Sequence, residues 1–193
     1  MDRAQVHTLE AVVGSLLLVA SIAFALQMTA VTPLSASTSS QHIENQLQSS
    51  AEGVLAGAAA AGEIQPATLT WDWKNDSFYG TADEPFYTSR TPPNAFGDRL
   101  ERAFADRGIA YNVYVDYSNG GGTISKRMVY RGQPSDNAVR ASKLVVLADD
   151  DRLRDGDMNP THGLNGSNLY APDIAGPSGT YNVLKVEVVV WRI

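Results

Sequence analysis

From Ala11 to Leu26 the chain carries no charged residue, and after Glu10 the next charge is Glu44. A run of about twenty residues spans the hydrocarbon core of a bilayer as a helix. This one is only moderately apolar, because Gly14, Ser15, Ser21 and Gln27 interrupt it; small residues of that kind let two helices approach closely. Pro33 is expected to bend or break the helix, since it lacks a backbone donor and its ring clashes with the preceding turn. Ser35 to Ser40 is polar, a flexible joint or a helix surface. Beyond it Ile43, Leu47, Ala51, Val54 and Ala58 recur at spacings of four and three, which is one face of a helix. Gly62, with Pro66 shortly after, marks its end.

After that second helical stretch the period changes. Leu69 to Trp73 alternates as a strand does, and Phe78-Tyr79 starts another after the Asn75-Asp76 turn. Thr91-Pro92-Pro93-Asn94 is a turn, and Phe96, Leu100, Ala103 and Phe104 then line one face of a short helix ended by Gly108. Ile109 to Tyr117 alternates strongly, Asn119-Gly120-Gly121-Gly122 makes a hairpin turn, and Thr123 to Tyr130 returns. Ala141 to Ala148 is a compact apolar strand, whereas Asp149 to Thr180, rich in Asp, Gly, Asn and Pro, reads as loop. Tyr181 to Ile193 closes the chain, and its Val-Val-Val run predicts a central strand. The expected fold class is α+β: a long N-terminal hydrophobic and amphipathic helix, then a small, mostly antiparallel sheet forming a head. No internal repeat is visible.

At 193 residues there is room for one or two small domains with a real core. Cysteine is absent, which excludes disulfides, thiol nucleophiles and cysteine-bearing zinc sites. The formal charge is -6, Asp outnumbers Glu, and Arg outnumbers Lys, which occurs only at Lys74, Lys126, Lys143 and Lys185. A mildly acidic surface argues against nucleic acid as a partner, which wants clustered positive charge. The bias suits a salt-rich environment, where weakly hydrated guanidinium replaces ammonium; drift in a GC-rich genome explains it equally well.

Three readings compete for the N-terminal segment. A cleaved secretory signal shows a basic start and a shorter apolar core, but here Arg3 is opposed by Asp2 and helical patterning continues past the run. A plain single-span anchor fits the length. The third reading rests on Arg3-Ala4-Gln5-Val6, directly ahead of a helix with an early acid. That tetrapeptide resembles the cleavage site of archaeal prepilins, whose class III signal peptide is cut ahead of the apolar helix so that the helix is kept. The resemblance implies a cut between Ala4 and Gln5, which makes Glu10 sixth in the mature chain; bacterial type IV pilins carry their glutamate fifth. It further implies that Glu10 meets the free amine of a neighbouring subunit in a filament. An ionisable group at the edge of the hydrocarbon is costly without water, headgroups or a partner. Against this stands the simpler view that Glu10 rests at the membrane interface, favoured by the helix dipole.

The chain as a whole resembles uncharacterised pilin-like membrane proteins of halophilic archaea, through Arg3-Ala4-Gln5, Glu10, the Arg/Asp bias and segments such as Asp98-Arg99-Leu100 and Asp149 to Leu153. The organisation this implies is a leader over residues 1–4, a membrane or filament-core helix over 5–32, an amphipathic helix over 33–64 and an extracellular head over 65–193. The expected function is a surface-exposed structural subunit or minor pilin of a type IV pilus-like system. The alternative is a non-polymerising, single-pass anchored exoprotein with a binding role. The expected partners are the lipid bilayer, the protein itself or other pilin-like subunits, and a prepilin peptidase. The N-terminus, with Arg3, is expected in the cytoplasm.

The head carries few candidates for chemistry. The acidic run Asp149 to Asp157 offers oxygen ligands for a hard cation, but calcium-loop spacing places Leu153 third and His162 twelfth when counted from Asp151, so a solvated loop is expected. His7, His42 and His162 are far apart and show no metal-ligand spacing. No serine sits in a nucleophile elbow, and Gly120 to Gly122 lacks the helix and Lys-Thr of a phosphate loop. Neither enzyme, metal site nor cofactor is expected. Trp71, Trp73, Phe78, Tyr79, Phe86 and Tyr87 form an aromatic-rich stretch, divided between core and an exposed remainder that would suit a subunit contact. Two glycan-acceptor patterns lie in turns, Asn75-Asp76-Ser77 and Asn165-Gly166-Ser167, while Pro160 excludes Asn159.

Overall fold

The computed structural model describes residues 2–176 and 178–192, with side chains for 7–27, 41–176 and 178–192. Two compact units make up the chain, Met1–Ile43 and Glu44–Ile193. Helix α1, Asp2–Ala60, contributes to both. Its backbone stays helical through Pro33, so of the expected bend or break the break does not occur. A proline removes one backbone bond, and a long helix tolerates that loss where the turns on both sides hold.

Within the second unit, α1 buries Leu47, Ala51, Leu55 and Ala58. The buried stripe thus runs through Leu55 in place of the expected Val54, which is half-buried, and Ile43 lies outside it. The Ala-rich turn before Gly62 favours helix. The stop is set by backbone geometry: Gly62 takes a φ of 68°, its N–H donates to Ala59 O, and Glu63 N donates to Ala58 O. These two bonds satisfy carbonyls that a helix end otherwise leaves open. Pro66 then falls inside a short helix α2, Ile64–Thr68.

Strands β1, Trp71–Asp72, and β2, Ser77–Phe78, pair as a small ribbon. Helix α3, Ala95–Ala103, begins at Asn94, whose side chain accepts from Gly97 N at 3.0 Å. That cap satisfies one of the open donors at the helix start. A β-carbon on Gly97 would stand 1.9 Å from Pro92 O, so no other residue fits there. Phe96, Leu100 and Phe104 are all buried, on the face the sequence predicts.

The main sheet contains β3, Ile109–Ser118, β4, Thr123–Val129, β5, Val139–Ala148, and β8, Thr180–Arg192. Their order is β4-β3-β8-β5 and every pairing is antiparallel. The closing strand is therefore central. Leu184, Val186, Val188 and Val190 of β8 join Val113, Val115 and Tyr117 of β3 and the buried residues of α1 in one core. The architecture is α+β. The span expected to be loop holds a further ribbon, β6, Arg152–Arg154, against β7, Pro160–Gly163. Periodicity misses strands this short, because three or four residues give no repeat to detect.

Candidate functional site

The stretch His7–Gln27 is 21 residues long with a mean hydropathy of 2.3, and none of it is buried by the rest of the chain. It meets the length and composition of a membrane anchor, and a signal sequence meets the same test. Its two serines are satisfied internally. Ser15 Oγ donates to Val12 O and Ser21 Oγ to Leu17 O, both at 2.8 Å. Hydroxyls bonded to a carbonyl of the preceding turn need no water, so they do not oppose an apolar surround.

Glu10 stands at the start of this stretch, with its Oε2 3.5 Å from His7 Nδ1 one turn earlier. Both side chains are largely exposed, and the pair is an ion pair only when His7 is protonated. Glu10 thus has a neighbour in its own helix, an arrangement the i,i+3 spacing already contains. The backbone of Ala4 and Gln5 lies in α1, and their side chains fall outside the described ones.

At the other end of α1, Glu63 and Arg99 join the helix terminus to α3. Arg99 Nε donates to Glu63 Oε2 at 2.7 Å and its Nη2 to Oε1 at 2.8 Å. A two-pronged guanidinium–carboxylate contact is among the stronger charge-assisted pairs. It holds the Glu63 carboxyl below the usual carboxylate range. Gly57 leaves room for this guanidinium, since a β-carbon there would lie 3.1 Å from Arg99 Nη1. Nothing in the sequence announces two partners so far apart.

The sheet face turned away from the core is a feature that the sequence pattern conceals. On it Asp116, Lys185, Glu187 and Arg140 form a charge ladder across three strands, with contacts of 2.9, 3.0 and 2.6 Å in that order. The two carboxylates bonded to Lys185 push its ammonium pKa up. Beside the ladder Leu144 is 67% exposed and Val146 56%, with Val183 directly opposite Val146 and also open. A shallow groove of about 280 Å³ runs past Asp116, Ser118, Thr123, Leu144, Val183 and Lys185. The apolar run in β5 suggests a fully buried strand; the clue against it is Lys143 in its middle, a common guard on edge strands. Gln48 adds a second guard by donating to the outward carbonyl of Arg140 at 3.0 Å.

The acidic run is built into turns. Asp151 Oδ2 accepts from Ala148 N and Gln65 Nε2, Asp149 Oδ2 from Gly179 N, and Asp155 from Asp157 N and Asn159 N. Among the described residues no three His, Asp or Glu side chains come together as a metal site. Of the aromatic stretch, Trp71, Phe78 and Tyr87 are buried, Tyr79 and Phe86 are half-buried, and Trp73 is open beside His162. A cavity of about 420 Å³ is lined by one loop, Gly80 to Arg90. Asn75 and Asn165 are both exposed in turns.

Residues 3–190 match the model of a family of unknown function, DUF7288. The chain belongs to that family. The match starts ahead of the apolar stretch and ends within β8, so the family shares helix and head together. No curated protein and no solved structure matches the chain.

Proposed function

We propose that this DUF7288 member is a membrane-inserted, pilin-like structural subunit or minor pilin of an archaeal type IV pilus-like system, its head outside the cell. The observation that carries the proposal is the division of labour along α1. Residues 44–60 are built into the core of the head through Leu47, Ala51, Leu55 and Ala58, while His7 to Gln27 receives no cover from the chain's own fold. A helix that serves as core element at one end and leaves about twenty apolar residues for lipid or other helices at the other suits a subunit that moves from bilayer to filament. In this reading a peptidase cuts between Ala4 and Gln5, and Glu10 pairs with the new amine of a neighbour. The Arg/Asp bias fits a halophilic source.

The experiment is Glu10→Gln in the cells that make the protein. Membrane insertion is retained, and recovery of the protein in sheared, pelleted filaments falls. Equal recovery of both forms removes Glu10 from assembly.

A second reading is favoured by the His7–Glu10 contact. It gives the acid a partner without a second subunit, as a non-polymerising anchored exoprotein requires, and the open face around Leu144, Val146 and Val183 then serves to bind another surface component. Absence of the protein from any filament fraction, with retention in membranes, selects this reading.

A further inference from the structure

Two acceptor patterns of the same type stand in very different surroundings. Asn165, Gly166 and Ser167 are all exposed. The Asn165 side-chain oxygen accepts from Ser167 N at 3.1 Å and from Ser167 Oγ at 2.9 Å, so the hydroxyl and the amide of the pattern sit together on one open surface. No hydrogen bond uses Asn165 Nδ2 among the described residues. The backbone beneath is pinned: Tyr181 Oη donates to Asn165 O at 2.9 Å, and the buried Asn168 accepts from Asn165 N and donates to Gly163 O. The loop therefore presents the amide nitrogen outward without needing to unfold.

At the other pattern the nitrogen is occupied. Asn75 Nδ2 donates to Asp72 Oδ2 at 2.7 Å, and with a carboxylate as acceptor the amide orientation is fixed by chemistry. Ser77 is half-buried in β2, paired with Asp72, and Asp76 between them holds a φ of 50°. Asn75 is exposed like Asn165, but freeing its nitrogen means breaking a charge-assisted bond, and engaging the half-buried Ser77 hydroxyl means disturbing the β1–β2 pairing that packs Trp71 on Phe78.

We infer that Asn165 is the acceptor of an N-linked glycan and that Asn75 is not. The donor is a sugar chain on a lipid phosphate or diphosphate, and a membrane oligosaccharyltransferase supplies the catalysis. The Asn165 nitrogen attacks the sugar C1, and a new N–C1 bond forms. The C1–O bond to the carrier phosphate breaks, the phosphate leaves with the electron pair, and one amide proton passes to a base of the transferase. This rests on the proposed external position of the head.

The test uses full-length protein purified from the membranes of the cells that make it, as wild type, Asn165→Gln, Asn75→Gln, Ser167→Ala and Ser167→Thr. Peptide mass spectrometry reads the glycan at each position, and a membrane-impermeant amine reagent on intact cells reads the side on which the exposed Lys143 lies. The expected result is a glycan mass on the Asn165 peptide and none on the Asn75 peptide. Asn165→Gln and Ser167→Ala remove it; Ser167→Thr and Asn75→Gln keep it. A bare Asn165 with Lys143 labelled outside, or a glycan on Asn75 alone, overturns the inference and leaves the orientation standing. A bare Asn165 with Lys143 shielded overturns both.

Discussion

Arg99 grips Glu63 with two parallel hydrogen bonds of 2.7 and 2.8 Å, so the first residue after the turn that ends α1 is fastened to the middle of α3. Within the head, the C-terminal end of α1 is therefore held to α3. The contact stabilises the folded head wherever Glu63 is ionised. Because its pKa is held below the ordinary 4.5, that stabilisation is fully present above the unfolded value and is lost as pH falls through the lower folded value. Acid unfolding of the full chain in detergent is expected to be steeper for the wild type than for Glu63→Gln, which is less stable at neutral pH and loses less on acidification. Parallel acid profiles would mean the pair contributes nothing.

Leu55 is 1% exposed at the centre of the α1 stripe. Leu55→Ala removes apolar contacts and leaves a cavity, at an expected loss of about 2–5 kcal/mol. Denaturant unfolding of the full chain in micelles measures it. A loss well below that range would place Leu55 outside the core.

Leu144 and Leu147 share a strand and face opposite ways, the first 67% exposed and the second fully buried. Leu147→Ala is expected to cost about 2–5 kcal/mol, and Leu144→Ala to change stability by no more than about 0.5 kcal/mol. Equal effects would contradict the register of β5 on β8.

Gly97→Ala drives a β-carbon against Pro92 O, backbone against backbone. The start of α3 must shift and the Asn94 cap is lost, a class of change that costs about 1–3 kcal/mol or more. Reduced thermal stability with loss of helix signal on circular dichroism is the expected outcome; an unchanged melting curve would contradict it.

Burial pushes the Tyr181 phenol up to about 12, and Tyr87, Tyr111 and Tyr170 upward as well. The folded chain then keeps protons that an unfolded chain releases near the ordinary value of 10.0. Stability is constant below that value and falls as pH rises past it. Phenolate absorbance should therefore appear together with loss of circular dichroism, and titration of these tyrosines in a folded head would contradict their burial.

Much of this was legible in the sequence because long elements repeat their pattern. Leu47, Ala51 and Ala58, the Phe96–Leu100–Phe104 face and the central β8 all follow from spacing and composition. The stripe in α1 shifted from Val54 to Leu55 because spacings of three and four leave neighbouring faces close in score. The break that Pro33 suggests does not occur, because proline opposes helix only locally and the helix continues on both sides. The open face was hidden because an apolar run such as Leu144 to Leu147 has no alternation to tell inside from outside. Glu63–Arg99 was invisible, since a partner 36 residues away is set by the fold. The sequence marks Glu10 as the acid at the edge of the apolar run, whereas its His7 contact one turn away follows from i,i+3 spacing that the reading of the residues passed over.

The central claim is that the apolar helix is kept and begins at a peptidase cut. Intact-mass and N-terminal sequencing of the protein from native membranes or filaments tests it most directly. The account predicts a mature chain that begins at Gln5 and retains His7 to Gln27. A chain that begins at Met1, or one that begins after Gln27, contradicts it.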